Sequence, residues 1–211
     1  YKKAAVIPSK ADVEKQAAFV SLYEEKRKNL DLGGKVYFID AMYLLHNAVA
    51  GYGWIKRGRR MEILTNSGRN RFNILGAYSP DDRSLLSIED TESCDAEMVQ
   101  KLLIKMREAN PSGNHLMAIL DNARYQHTKD VKELAEKLNI ELLYLPPYSP
   151  NLNLIERFWK FMRKKVTKNK YYPTFDEFVA AVKEFLRNLS VYAEELKSLM
   201  TENFQLFNAA A

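Results

Sequence analysis

The sequence predicts an α/β fold: a mixed five-stranded sheet flanked by helices, with extra helices at the C-terminal end. Three strand-like runs precede the first strongly amphipathic helix of the main body, a pattern of antiparallel neighbours. After that helix, strands and helices alternate, which demands parallel pairing through right-handed crossovers. The 211 residues, 46% hydrophobic and 28% charged, suit one good-sized core.

Ser9 is expected to cap a helix running to about Asn29, with Val13, Ala17 and Val20 as a thin apolar stripe. "LGG" at 32 to 34 then breaks the chain. It divides an N-terminal helical segment or linker (1–32) from a main domain (33–207). "KVYFID" (35–40) reads as a buried strand ending on an acid, and residues 51 to 71, rich in Gly and Arg, as a hairpin or excursion. "FNILGAY" (72–78) and "LLSIED" (85–90) follow as strands around the turn "SPDDRS". From Cys94 to Ala109 the spacing of Val99, Leu102, Leu103 and Met106 is helical, with Ser93 as cap. "HLMAILD" (115–121) is again a strand ending on an acid. Val131, Leu134, Ala135 and Leu138 mark the next helix, "IELLYL" (140–145) the fifth strand. Ile155, Phe158, Trp159, Met162 and Val166 mark a further helix. Thr174 and Glu177 form a capping box before another, and a short final helix follows Ser190.

Several function classes drop out. Cys94 is the single cysteine, which excludes an internal disulfide and a cysteine-built zinc site and fits a cytosolic setting. No apolar run reaches the roughly 18 residues that span a bilayer, and "YKKAAVIPSK" is too polar for a secretory signal. A start at Tyr1 points to a missing upstream region, and the terminal "AAA" to tag or filler. There is no Gly-rich phosphate loop and no nucleophilic serine motif. The net charge is +5 and the pI about 9.1, so the distribution of charge matters more than its total.

Asp40, Asp121 and Glu156 fall at coherent points: two at strand ends, the third in the first turn of the helix after the fifth strand. Ligands of open α/β sheets gather beyond the carboxyl ends of strands. Should the first and fourth strands be parallel neighbours, the two aspartates lie side by side and Glu156 leans in. Three unneutralised carboxylates need cations, and hard oxygen donors favour Mg²⁺ or Mn²⁺. Each acid also has a plainer reading: a strand terminus, an Asp-Asn turn, and an Asn153 N-cap with its N3 acid.

Lys160 and Arg163 lie on the same side of their helix as Glu156. Arg157, Lys160, Arg163, Lys164, Lys165, Lys168 and Lys170 run without an intervening acid, which suits a polyphosphate backbone or, alternatively, only a dipole-favoured helix end. Lys56, Arg57, Arg59, Arg60, Arg69 and Arg71 form a second cluster, interleaved with Tyr52, Trp54 and glycines. It reads as a nucleic-acid contact or as an exposed Arg-rich hairpin. Asn122 and His127 are possible auxiliaries, His127 as an orienter of water or phosphate or as a local hydrogen-bonding residue.

"LDNARYQHTKDV" (120–131) followed by "IELLYLPPYSPNLNLIERFWKFMRKKV" (140–166) resembles the catalytic core of mariner-superfamily transposases, closest to their bacterial insertion-sequence branch. The 34 residues between Asp121 and Glu156 match that group's spacing. "FIDAMYLLHN" (38–47), "GYGWIKRG" (51–58) and "RFNILGAY" (71–78) match less tightly. The resemblance implies a ribonuclease H-like fold and a triad of Asp40, Asp121 and Glu156 holding two divalent ions. It also implies double-stranded DNA as partner (transposon ends and a TA target), a homodimer on DNA, and a bacterial cytoplasmic, nucleoid-associated protein. Leu154 stands where the family usually has proline. The family's paired helix-turn-helix region finds no room in residues 1–32, so little end specificity is expected of this chain. Prolines 146, 147 and 150 are expected to stiffen the lead-in to Glu156. Two rivals stay open: a ribonuclease H-like structure-specific nuclease without strand transfer, and an inactive DNA-binding remnant.

Overall fold

The structure, a computed structural model, describes residues 8–66, 70–91 and 93–207. Helix α1 (Val13–Lys28) is capped by the Asp12 carboxylate, which accepts from the Lys15 amide at 3.1 Å, rather than by Ser9. The sheet comprises β1 (Lys35–Leu45), β2 (Arg71–Ser79), β3 (Ser84–Asp90), β4 (Leu116–Leu120) and β5 (Ile140–Tyr144). Their spatial order is β3-β2-β1-β4-β5. The pairs β1–β2 and β2–β3 are antiparallel, while β1–β4 and β4–β5 are parallel. Helix α2 (Ala96–Glu108) begins later than the apolar spacing suggests, because Asp95 rather than Ser93 caps it. Then come α3 (Lys129–Lys137), α4 (Leu154–Val166), α5 (Phe175–Arg187) and α6 (Ala193–Leu199). The Thr174–Glu177 capping box of α5 is present. Among the described residues no helix is long and apolar enough to cross a membrane.

Strand periodicity sorts the core into two layers. Val36, Phe38, Met42 and Leu44 of β1 pack with Met117 and Ile119 of β4 against α1, α4, α5 and α6. Tyr37, Ile39, Leu116, Ala118 and Leu120 face α2 and α3 instead. The buried face of α1 is Gln16, Phe19 and Tyr23, not the Val13–Ala17–Val20 stripe, which is only half-buried. The aromatic pair reaches a sheet that the aliphatic stripe leaves at its margin.

One strand differs from the sequence expectation in a way that shapes the site. β1 does not end at Asp40; it runs on to Leu45, since β2 pairs it residue by residue from Phe38 to Leu45. Residues 51–66 form neither hairpin nor helix but an exposed excursion. Its root is fixed: Asn169 donates to Val49 O at 2.9 Å, and Gly51 donates to the Asn169 side chain at 2.8 Å.

Gly76 sits opposite Asp40 in the β1–β2 pair. A Cβ there would lie 2.6 Å from the Trp159 ring and 3.1 Å from Ile155. The missing side chain lets α4 settle onto the sheet directly beside Asp40. Gly76→Ala is expected to destabilise the fold by about 1–3 kcal/mol through overpacking against a buried indole. A denaturant titration with an unchanged midpoint would show that α4 does not need this close approach.

Candidate active site

Parallel register brings the two aspartates together. Lys35 pairs with Leu116 and Phe38 with Ile119, and the same offset carries Asp40 opposite Asp121, one residue past the end of β4. Asp40 shares its face with Phe38 and Met42, and Asp121 continues the face of Met117 and Ile119, so both point toward the α4 layer.

Glu156 arrives from that layer at the third position of α4. Asn153 occupies the N-cap position, but its side chain does not cap the helix. Instead the Asn153 amide donates to Ile39 O at 3.0 Å in a buried bond, fastening the start of α4 to β1 one residue before Asp40. Leu154, in place of a proline, is buried at the first helical position and anchors that turn by packing. The approach is equally constrained. Leu145 donates to Leu120 O at 2.8 Å, Asn122 donates to Leu145 O, and Pro150 opens a 3-10 turn over Pro150–Leu152. Asp121, Asn122, the 145–150 segment, Asn153 and Glu156 line one open cleft of about 500 Å³.

The three acids feel one another. Asp40 is pushed up to about 8, first by burial, then by the charges of Glu156 and Asp121; the Ala41 amide and the Trp159 indole oppose this too weakly. Glu156 is raised by partial desolvation and by Asp121, against the pull of Arg163. None of the three is ion-paired to another described residue. Among the described residues, no three His, Cys, Asp or Glu side chains already stand at metal-ligand spacing. An all-oxygen donor set with excess negative charge fits a hard divalent ion.

The basic residues divide. Lys160 and Arg163 line a second cleft that shares Glu156 with the first, and Lys164 is exposed a turn further on. Arg157 lines the same cleft, but its guanidinium is engaged, donating to Thr201 O and Asn203 O, both at 2.8 Å. Lys165 is likewise engaged, with Glu195 at 2.7 Å. Lys56, Arg57, Arg59 and Arg60 stand exposed on the excursion, and Arg71 is exposed at the start of β2. Arg69 lies outside the described residues. His127 is stacked on Tyr144 with ring centroids 4.0 Å apart and is not among the residues lining the cleft with Asp121. Sequence reasoning missed the Asn153 bond, the Gly76–Trp159 contact and the tail beneath Arg157. A glycine inside a strand was a usable signal for the second; the other two need tertiary knowledge.

A family model described as DDE superfamily endonuclease matches residues 35–179. An uncharacterized protein, y4pE/y4sA, of Sinorhizobium fredii is 36% identical over 86 residues, 41% of this chain and 62% of that protein. The insertion element IS630 uncharacterized 39 kDa protein of Shigella sonnei is 20% identical over 74% of this chain and 46% of its own length. The chain thus spans less than two thirds of either relative. A Mos1 transposase paired-end complex with left transposon end superposes with a TM-score of 0.70 at 13% identity, covering 97% of this chain and 68% of that one. A mariner Mos1 paired end complex with Mg gives 0.66 at 14%, covering 99% and 68%. At such identities the likeness is one of fold, ribonuclease H-like.

The electrostatics of Asp40 set a pH dependence. Its folded-state value, about 8, lies above the ordinary 3.8, so the native chain keeps a proton that the unfolded chain releases. This group's contribution is therefore fully present near pH 4 and is lost as pH rises toward 8. Asp40→Asn is expected to raise the melting temperature of the metal-free protein at pH 9 by about 2–8 °C and to leave it nearly unchanged at pH 4. A variant no more stable than wild type at pH 9 would contradict the repulsion described.

Proposed function

We propose that this chain, which belongs to the DDE superfamily endonucleases, is the catalytic domain of a DNA transposase that cuts DNA at transposon ends and joins them to target DNA. The observation that supports this is the register that sets Asp40, midway along β1, opposite Asp121, the residue that follows β4, with Glu156 in the first turn of the α4 helix packed on β1. That the solved proteins of like fold are described as transposase–DNA complexes, one of them with Mg, supports the reading.

In this reading the three carboxylates hold two divalent ions, Mg²⁺ or Mn²⁺. Ions bound there supply Lewis-acid activation for an in-line displacement at phosphorus. The chain's own part is to fix geometry. Asn153 and Gly76 hold α4 against β1 so that Glu156 meets the aspartates, and the 145–150 segment walls the cleft. Lys160 and Arg163 neutralise the phosphates flanking the scissile one, and the excursion's Lys56, Arg57, Arg59 and Arg60 extend that contact. Asn122 acts through the loop it ties to Leu145. Water as nucleophile gives cleavage; a DNA 3′-hydroxyl gives strand transfer. Two ends and one target favour a homodimer on DNA, at work on the nucleoid.

Two outcomes are expected. Asp40→Ala, Asp121→Ala and Glu156→Ala each lower Mg²⁺-dependent cleavage of end DNA by at least about 1,000-fold while circular dichroism stays that of wild type; wild-type cleavage by any one removes it from the triad. With pre-cut ends, joining to target separates a transposase from a nuclease that only cuts. Replacing Lys160 and Arg163 together by Ala is expected to weaken duplex binding for all sequences alike. It should also flatten the slope of log affinity against log salt by about 2; an unchanged slope would place the phosphates elsewhere.

A further inference from the structure

Arg157 raises a question of its own. A cation directly follows Glu156, yet its guanidinium bonds main-chain oxygens rather than that carboxylate. Arg157 is itself partly desolvated, and it forms no ion pair with a described residue. Its partners are main-chain oxygens of residues 201 and 203.

Those residues belong to an irregular segment that follows α6. Three of its carbonyls, at alternate positions, are bound by the loop before α4 and by its first turn. Thr201 O and Asn203 O accept from Arg157, and Gln205 O accepts from the Asn151 amide at 2.9 Å. The alternate side chains turn toward α1 and the sheet. Glu202 accepts from the Tyr23 hydroxyl and lies 3.4 Å from Arg27. Phe204 packs edge-on against Tyr23, with centroids 5.3 Å apart, and beside Phe38. The Asn151 amide also donates to Gln16 of α1 at 3.0 Å. The segment therefore ties α1 to the loop before α4 and to its first turn, and it ends beside Glu156, where Gln205 and Phe207 line the cleft of Lys160 and Arg163.

We infer that residues 201–205 are a strap that positions Glu156, with Arg157 as its buckle: the two carbonyls draw the guanidinium off the neighbouring carboxylate and clamp the first turn of α4. This rests on the function proposed above and adds a positioning residue to it. The fork matters as much as the charge. A planar guanidinium can donate to two carbonyls at once in fixed geometry, whereas a lysine ammonium on a flexible stem holds such a pair poorly. A free cation at this position would compete with a metal ion for Glu156.

Arg157→Lys separates the strap from a DNA contact, because it keeps the charge and loses the fork. In the metal-free variant, amide hydrogen exchange at Glu156 should quicken by about 10-fold, the loss of roughly one well-made hydrogen-bonded clamp. Calorimetric Mn²⁺ affinity should fall several-fold, while duplex DNA affinity stays within about twofold of wild type. Removing residues 201–211 should shift the same two readouts in the same direction if the shortened chain folds; Arg157→Lys decides the matter if it does not. Wild-type exchange and Mn²⁺ affinity in Arg157→Lys would overturn the strap. So would DNA binding that Arg157→Met loses and Arg157→Lys restores. Failure of the wild-type protein to bind Mn²⁺ would instead sink the metal-dependent reading, and the exchange comparison, which needs no metal, would still judge the strap.

Discussion

In the parallel pairing of β1 with β4, one constant register carries Lys35 opposite Leu116 and, five residues on, Asp40 opposite Asp121. Everything local to the site depends on it. Because side chains alternate along a strand, a slip of one residue in β4 would turn Asp121 into the α2–α3 layer, leaving Asp40 without its neighbour. The register is held by apolar burial on both faces: Phe38 and Ile119 on one, Tyr37 and Ala118 on the other, all buried. Hydrophobic packing thus fixes where two negative charges must meet. The polar site is a consequence of the apolar core beneath it.

Holding like charges together opposes stability, and the surroundings show how the chain copes. The acids have no buried counter-ion among the described residues, and Asp40 is driven up to about 8 by burial and by its two acidic neighbours. Cations stand nearby without closing on them. Arg163 pulls on Glu156 from two turns along α4, Lys165 is turned to Glu195, and Arg157 is held by the tail. A direct salt bridge to any of the three acids would have stabilised the metal-free chain, and it would have filled the place of a metal ion. The arrangement leaves charge unspent at the centre and positive potential around it, suited to drawing in both a divalent ion and a polyanion.

Much of this was legible in the sequence, for physical reasons. Strands and helices showed themselves through periodicity, because burial on one or two faces dictates the pattern of apolar residues. The basic run after Glu156 was legible because only one sign of charge appears. The errors share a cause. Asp40 looked like the end of a strand because a charge interrupts an apolar run, yet β2 pairs straight past it to Leu45. Ser9 and Ser93 looked like caps, but Asp12 and Asp95 hold those positions. Local chemistry allowed either residue, and the packing of the helix chose. Asn153 looked like a cap as well; its amide goes to Ile39, more than a hundred residues away in the chain. No local rule could have found that partner.

The stiffness of the stretch before Glu156 now has a fuller account than its prolines alone. Pro150 fixes the first position of a 3-10 turn, and proline removes freedom the unfolded chain would otherwise hold. Tyr148 adopts a positive φ of 58°, a conformation uncommon for a bulky side chain, which persists only where neighbours enforce it. Those neighbours are fixed points on both sides: Leu145 and Asn122 tie the entry to the end of β4, and Asn151 and Asn153 tie the exit to the tail, α1 and β1. A segment anchored at both ends with a restrained middle has few ways to move. The prolines limit what the backbone can do; the asparagine amides choose which of the remaining conformations is kept, and that choice fixes where the first turn of α4, with Glu156, stands relative to β1.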